Sequence, residues 1–188
     1  MNSTNDNTHP TTDLEDLFRK AEFYYRRAVS ESGQSAYSRR APMLAAVAHY
    51  EQASATLLAL LKIEPTNTRA LLLLSLVEEG LLHFDTAAAM LSKAFESGEP
   101  RSKKHLKRFA LLKSNAKWWS TISLSPFQLA ALGEYLADEE VNPSNDDLRV
   151  TTRWLIENSI PESASILERL AELGAFSDFQ VLANVVNG

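Results

Sequence analysis

Two stretches, HYEQASATLLALLKIEP (49–65) and HFDTAAAMLSKAFESGEP (83–100), decide the fold of this chain. They align at an offset of 34 residues and share a histidine, an aromatic residue, an alanine and further apolar positions. The equivalent pairs are His49 and His83, Tyr50 and Phe84, Ala53 and Ala87, Leu57 and Leu91, and Leu60 and Ala94. A fixed period of this length is typical of stacked helical hairpins, in which neighbouring units bury one another's apolar faces.

The segment between the two stretches supplies the other helix of the hairpin. Pro65 ends the preceding helix, Thr66 or Asn67 caps the next one, and Gly80 lies near its end. Further upstream, Thr12 and Glu15 form a capping box before a helix that ends near Gly33. Pro42 suits the first turn of a second long helix, MLAAVAHYEQASATLLALLK (43–62).

These residues resemble the tetratricopeptide repeat over one full unit, about 68–100, and the second helix of an earlier unit, 42–65. The first helix matches that family at Leu71, Leu74 and Ser75, and the second helix matches at Phe84, Ala87, Leu91 and Ala94. Glu78 stands where the family has an aromatic residue, and the insert between Gly33 and Pro42 replaces its short turn. The resemblance implies antiparallel helical hairpins with an inner groove that binds a protein or peptide.

The segment after Pro100, RSKKHLKRFALLKSNAKWW (101–119), predicts a terminal helix that covers the end of the stack. Because Lys113 falls within its apolar stripe, we expect the helical order to break there. The chain then divides into a disordered polar tail (1–12), a tetratricopeptide-like region (13–119) and a small C-terminal helical domain packed on the repeats (120–188). The predicted fold class is all-α.

Local signals predict four short helices in the second half. Ser125 and Pro126 begin the first helix, which ends before Asn142 and Pro143. A Ser144/Asp147 capping box begins the second helix, Pro161 begins the third, and Gly174 ends it. Ser177 and Gln180 cap the fourth. A bundle of about 65 residues has a marginal core on its own. We therefore expect the bundle to pack against the hairpins.

The second half is also similar to an uncharacterised bacterial domain family. The matching positions are Leu148, Arg149, Trp154, Leu155, Gly174, Asp178, Val181, Leu182 and Asn184. That family carries cysteine where this chain has Ser144, Ser177 and Phe179, and histidine where it has Asp146. Because thiolate and imidazole are zinc ligands, the family's residues look like a metal site that this chain has lost.

Composition excludes several classes of function. The chain has 188 residues, 45% of them apolar, and no cysteine, so it has neither disulfides nor a thiolate site. It shows no signal peptide and no apolar run of membrane-spanning length, which favours the cytoplasm. No catalytic constellation, glycine-rich phosphate loop or metal-ligand cluster is present, so we expect no enzyme activity, cofactor or bound metal.

The first functional hypothesis is a protein–protein interaction module, an adaptor or a chaperone-like scaffold. Its partner-binding residues would be Arg69, Leu72, Leu76 and Glu79, on the inner side of the hairpin's first helix. This set lacks the lysine and asparagine with which the resembled family grips a terminal carboxylate. An apolar segment of a partner, the chain's own helix or a second copy of the chain would then fill the groove.

The alternative hypothesis is a binder of nucleic acid or another polyanion through Lys103, Lys104, Lys107 and Arg108. Residues 101–119 carry seven Lys/Arg and no acid, and two tryptophans follow as stacking candidates. Residues 1–119 have a net charge of +3 and residues 120–188 one of −8, so the second half offers an internal partner for the basic segment.

The substituted ligand positions generate a prediction about metal content. Serine is a poor zinc ligand and phenylalanine is none, so residues 125–188 should fold without metal, held by helix caps and by Trp154, Leu155, Phe176, Phe179 and Leu182. Elemental analysis of protein purified without an affinity tag should show no stoichiometric zinc. A chelator should leave the melting temperature unchanged; a drop in that temperature would contradict the prediction.

Overall fold

The computed structural model describes residues 10–34, 40–119, 122–144 and 146–187, and this part of the chain is all-α as predicted. Its helices are α1 (Pro10–Glu31), α2 (Leu44–Ile63), α3 (Thr68–Gly80), α4 (Phe84–Glu96), α5 (Lys103–Trp119), α6 (Pro126–Asp138), α7 (Arg149–Glu157), α8 (Ser163–Glu172) and α9 (Asp178–Gln180), which continues as a π-helical segment (Val181–Asn187). Among the described helices, none is long and apolar enough to cross a membrane.

The first five helices pack as consecutive hairpins, α1 with α2 and α3 with α4, and α5 packs on α4. Small side chains lie where the helices meet: Ala53, Ala87 and Ala94 are fully buried. The Ser75 hydroxyl, also buried, donates a hydrogen bond to the Ala87 carbonyl at 2.7 Å. Such small residues let the ridges of one helix enter the grooves of the next.

Several predicted helix boundaries hold and others are wrong. Asn67 caps α3, accepting from the Ala70 N–H at 2.9 Å. However, α1 begins at Pro10, so Thr12 lies inside its first turn and cannot be the N-cap, while residues 1–9 of the predicted tail lie outside the described residues. Pro42 precedes Met43, the N-cap of α2, and is therefore not in the first turn.

The predicted break at Lys113 is also wrong, because α5 continues to Trp119. Lys113 is exposed, with its ammonium 5.6 Å from the centre of the Phe109 ring. Leu112 and Ala116 provide the buried side of this part of the helix instead. The lysine therefore lies beside the buried stripe rather than in it.

A close approach between α2 and the end of α3 fixes the geometry of the central hairpins. A Cβ atom at Gly80 would lie 2.5 Å from Cζ of Tyr50, so only glycine fits there. The Tyr50 hydroxyl donates to the Gln34 side chain at 3.0 Å, and the Gln34 amide donates to the Gly80 carbonyl at 2.8 Å. Burial raises the pKa of Tyr50 to about 12.

In the second half, α6 has the predicted cap: Ser125 and Gln128 form a reciprocal capping box behind Pro126. The predicted Ser144/Asp147 box on α7 is wrong. The fully buried Asp178 caps α7 instead, accepting from the N–H groups of Val150 at 2.9 Å and Thr151 at 2.7 Å. Ser177 caps α9 as predicted, accepting from the Gln180 N–H.

The second half packs against the hairpins through a shared apolar core. Phe84 and Leu91 of α4 belong to the same buried cluster as Leu132 and Trp154. Backbone hydrogen bonds add to this contact, since the N–H groups of Arg40 and Ala41 both donate to the Val186 carbonyl at 2.9 Å. The second half thus contacts α2 through α6 and shares its apolar core with α4.

The close contact between Gly80 and Tyr50 predicts that Gly80→Ala changes the free energy of unfolding in a direction that depends on whether Tyr50 is present. Gly80→Ala should lower the free energy of unfolding by about 1 to 3 kcal/mol, because the added methyl overpacks the site. In a Tyr50→Leu background the ring atoms are gone, and alanine should instead stabilise the helix by up to about 1 kcal/mol. Urea unfolding of the parent, the two single variants and the double variant measures the interaction free energy between the two positions. Additive effects would contradict the close approach.

The cap on α7 predicts a second stability effect. Asp178→Ala leaves two backbone N–H groups without their acceptor and should cost about 2 to 4 kcal/mol. Asp146→Ala is the control, because Asp146 is exposed in the adjacent loop. Thermal and urea unfolding should separate the two variants clearly. Equal stabilities would show that Asp178 does not cap the helix.

Candidate functional site

Three helices converge at an ion pair between Arg108 of α5 and Glu79 of α3. The Arg108 Nε lies 2.7 Å from the Glu79 carboxylate, and its Nη2 donates to the Ser75 hydroxyl at 2.9 Å. Tyr25 of α1 lies in the same place: burial raises its pKa, the Arg108 charge opposes that shift, and the Glu79 charge adds to it. The side of the hairpins formed by α1, α3 and α5 at this pair is called the inner face below.

Leucines of α3 and α5 form the apolar part of the inner face. Leu72 and Leu76 lie on the same side of α3 as Glu79, by their helical spacing. Leu72 is half-buried and packs against the larger apolar cluster, whereas Leu76 is 37% exposed. One turn beyond Arg108, Leu111 of α5 is 55% exposed. Of the two predicted leucines, Leu76 therefore offers the more accessible surface.

The predicted charges of the groove are engaged within the chain. Arg69 lies 3.4 Å from the carboxylate of Glu15, and its guanidinium is 4.2 Å from the centre of the Phe18 ring, both on α1. Glu79 is paired with Arg108. Arg69 and Glu79 therefore join neighbouring helices, and the leucines between them are the groups left for a partner.

The start of α2, on the opposite face of the hairpins, contacts the second half. The Leu44 N–H donates to the Glu134 carboxylate of α6 at 2.9 Å. Ala130 of α6 is fully buried in the apolar cluster of the first three helices. The second half thus packs on the start of α2, while Leu58 and Ile63 further along that helix stay exposed, at 48% and 63%.

The basic segment splits into two kinds of residue. Lys103, Lys104 and Lys107 are exposed, as predicted for a polyanion surface. Arg108 differs from them, because its side chain is only 17% exposed and its charge is paired with Glu79. Within the described chain, no ion pair joins these lysines to the acidic second half, whose arginines Arg153 and Arg169 pair with their own neighbours.

The tryptophan platform expected beside the lysines is not formed by Trp119. Its ring is buried, 6.1 Å from the Phe84 ring centre, and the Arg40 guanidinium lies 5.5 Å from its centroid. A base could not stack there without displacing these neighbours. Trp119 instead fills the junction between the hairpins and the second half.

The two repeated histidines each pair with a glutamate of the preceding helix. His49 Nε2 lies 3.3 Å from Glu31, and His83 Nδ1 lies 2.8 Å from Glu78. Glu78 is buried and also accepts a hydrogen bond from the Ser54 hydroxyl. The glutamate that replaces an aromatic residue of the repeat pattern thus links α2, α3 and the turn before α4.

A cleft of about 360 Å³ lies between that turn, the end of α5 and the start of α6. It is lined by Leu81, Leu82, His83, Phe84, Asp85, Thr86, Ala116, Trp119, Ile122, Leu124, Ser125, Pro126 and Leu129. Its polar groups are partly in use: His83 binds Glu78, and Ser125 caps α6. The cleft is mainly apolar, and among the described contacts no hydrogen bond joins the Thr86 or Ser125 hydroxyl to His83.

The positions equivalent to the family's cysteines and histidine lie on two neighbouring segments, because the Asp178 N–H donates to the Asp147 carbonyl at 2.7 Å. Ser144 and Asp146 are exposed, and Ser177 is used as a cap. In the described residues, no group of three or more His, Asp or Glu side chains is arranged to hold a metal. The predicted packing of Phe176 is wrong, since it is 64% exposed in the loop before the Ser177 cap.

Sequence reasoning missed three residues of this arrangement. Tyr25 has no role predicted from the sequence, Leu111 is not assigned to the inner face there, and Asp178 is only a matched position. The spacing of Pro65 and Pro100, which is 35 rather than 34, contains a signal for Leu111. Counted at that offset, Leu111 is the equivalent of Leu76, and Lys104 and Lys107 are the equivalents of Arg69 and Leu72.

Both family resemblances rest on residues whose packing is now described. The repeat positions Ala87, Leu91 and Ala94 are buried between helices, and Trp154 and Leu155 are buried in the second half. Both resemblances stay predictions. Compared with known proteins, the chain matches no protein-family model, no curated protein and no solved structure.

Proposed function

We propose that this protein is a protein–protein interaction module, an adaptor or chaperone-like scaffold, that binds its partner on the inner face. The observation that carries the proposal is the exposure of two leucines on one side of the hairpins. The start of α2 packs on α6, whereas Leu76 and Leu111 remain exposed on the inner face. Accessible leucines beside a charged rim are typical of a recognition surface.

The architecture supports binding rather than catalysis. The polar clusters described above hold helices together: Arg108 with Glu79, and Glu78 with His83. Among the described contacts, the hydroxyls that share the cleft with His83, those of Thr86 and Ser125, form no hydrogen bond with it. A rigid stack of helices with an open apolar face is instead suited to a helical or extended segment of another protein.

The polyanion alternative has less support. Arg108 is withdrawn from the basic surface, and Trp119 is buried. Exposed lysines alone would give weak binding that falls steeply with salt. Such binding would also leave Leu76 and Leu111 in water, so it would not account for the apolar part of the inner face.

A charge placed on the inner face tests the proposal. Leu76→Asp should weaken capture of the natural partner from cell extract at least tenfold, about 1.4 kcal/mol, because it puts a carboxylate into the apolar contact. The readout is quantitative mass spectrometry of the retained proteins. Leu72 is half-buried, so Leu72→Ser is a milder second variant that should lower capture without unfolding the protein.

Leu58→Asp is the matched control. Leu58 is 48% exposed on α2, outside the inner face, so the same change there should leave capture unaltered. Circular dichroism should show that all variants keep their helix content. If Leu76→Asp and the parent protein retain the same partners in the same amounts, the inner face is not the binding surface.

A further inference from the structure

The helix α5 carries a concentration of positive charge that the fold leaves uncompensated. It contains five lysines and no Asp or Glu. All five are exposed, and within the described chain none of them forms an ion pair. Its other charged groups are different: Arg108 pairs with Glu79, and His105 lies 3.5 Å from Glu99.

The carboxylates of the inner face are already neutralised. Glu15 is paired with Arg69, and Glu79 is paired with Arg108. Each of these contacts joins two helices, so neither carboxylate is free to compensate a lysine. Within the described chain these two carboxylates are therefore engaged, whereas the lysines of α5 form no ion pair.

Helical spacing places two of the lysines beside the exposed leucine. Lys104, Lys107 and Leu111 are spaced i, i+3 and i+7, so they lie on one flank of α5. Arg108, on the adjoining row, points to α3 and marks this flank as the one next to Leu76. Lys113 and Lys117 lie on the opposite flank, beyond the Phe109 ring.

We propose that the partner segment is an acidic amphipathic helix, an inference that rests on the proposed function. Its apolar side chains would cover Leu76 and Leu111, and its Asp or Glu side chains would face Lys104 and Lys107. Charge complementarity identifies this occupant, because a basic or neutral helix would leave the lysines unpaired. Nucleic acid fits less well, since it would leave the leucines in water.

Two synthetic peptides of about 18 residues test this inference. One has leucines along one helical face and glutamate on the other, and its twin has lysine in place of every glutamate. Fluorescence anisotropy at about 0.15 M salt, where charges more than about 8 Å apart are largely screened, should show the glutamate peptide binding at least tenfold more tightly than its twin. The double variant Lys104→Glu/Lys107→Glu should reverse that preference.

Lys113→Glu/Lys117→Glu is the matched control, because it makes the same charge change on the other flank of α5. It should lower affinity for the glutamate peptide no more than twofold, the size expected from long-range charge alone. Leu76→Asp should abolish binding of the glutamate peptide. A single-stranded oligonucleotide of equal charge is titrated in parallel and should bind more weakly.

Each other outcome overturns the inference in a recognisable way. Equal affinity for the two peptides, lost in Leu76→Asp, removes the charge preference and leaves the proposed function standing. Binding of peptide and oligonucleotide alike, unaffected by Leu76→Asp, indicates a simple polyanion surface and removes both. Absence of peptide binding overturns the inference. A dimer of the protein alone that dissociates in Leu76→Asp assigns the face to a second copy.

Discussion

The ion pair between Arg108 and Glu79 is the contact on which the inner face depends. It joins α5 to α3 next to Tyr25 of α1, so one interaction sets the relation of three helices. Both side chains are largely withdrawn from water, and loss of either would leave the other as a desolvated, unpaired charge. The pair thus differs from the exposed pairs of α1, such as Arg26 with Glu22, which stabilise little. It also removes one negative charge and one positive charge from the surface that a partner would meet.

A second constraint, the absence of a side chain at Gly80, determines where α3 ends against α2. Tyr50 occupies the space that a Cβ would fill, and its hydroxyl reaches the Gln34 side chain, which in turn holds the Gly80 carbonyl. Gln34 also donates to the Arg40 carbonyl, and the Arg40 N–H donates to Val186 in the second half. A continuous path of contacts therefore runs from the central hairpin through the two ends of the insert to the C-terminal segment. The described ends of the insert, Gln34 and Arg40, thus add hydrogen bonds to the contact between the two halves.

The features that sequence reasoning predicted are those with local causes. The Asn67 cap, the start of α6 at Ser125 and Pro126, and the Ser177 cap all depend on residues a few positions apart, and all three appear in the structure. The cap of α7 could not be read in this way, because Asp178 is 28 residues from Val150 along the chain. Likewise, Lys113 suggested the end of the helix only because the apolar pattern of the sequence does not show which side of α5 is buried. The inner face was half predicted: Leu72 and Leu76 were named, but the roles of Arg69, Glu79 and Arg108 depend on helices that meet only in three dimensions.

The first half of the chain is basic and the second half is acidic, and the packing of the two halves determines where these charges lie. Attraction between a basic first half and an acidic second half would have been satisfied internally if α5 faced the bundle with its lysines. Instead, its buried side meets the bundle through apolar residues such as Leu112 and Trp119, and the described ion pairs of the second half are local to it. The lysines thus remain at the surface while the acidic bundle contacts the start of α2. Opposite charges on separate parts of the surface generate a field that can orient an approaching charged molecule before contact. The exposed leucines of the inner face and the lysines of α5 stay at the surface because the halves join mainly through apolar contacts, supplemented by the Glu134 carboxylate at the start of α2.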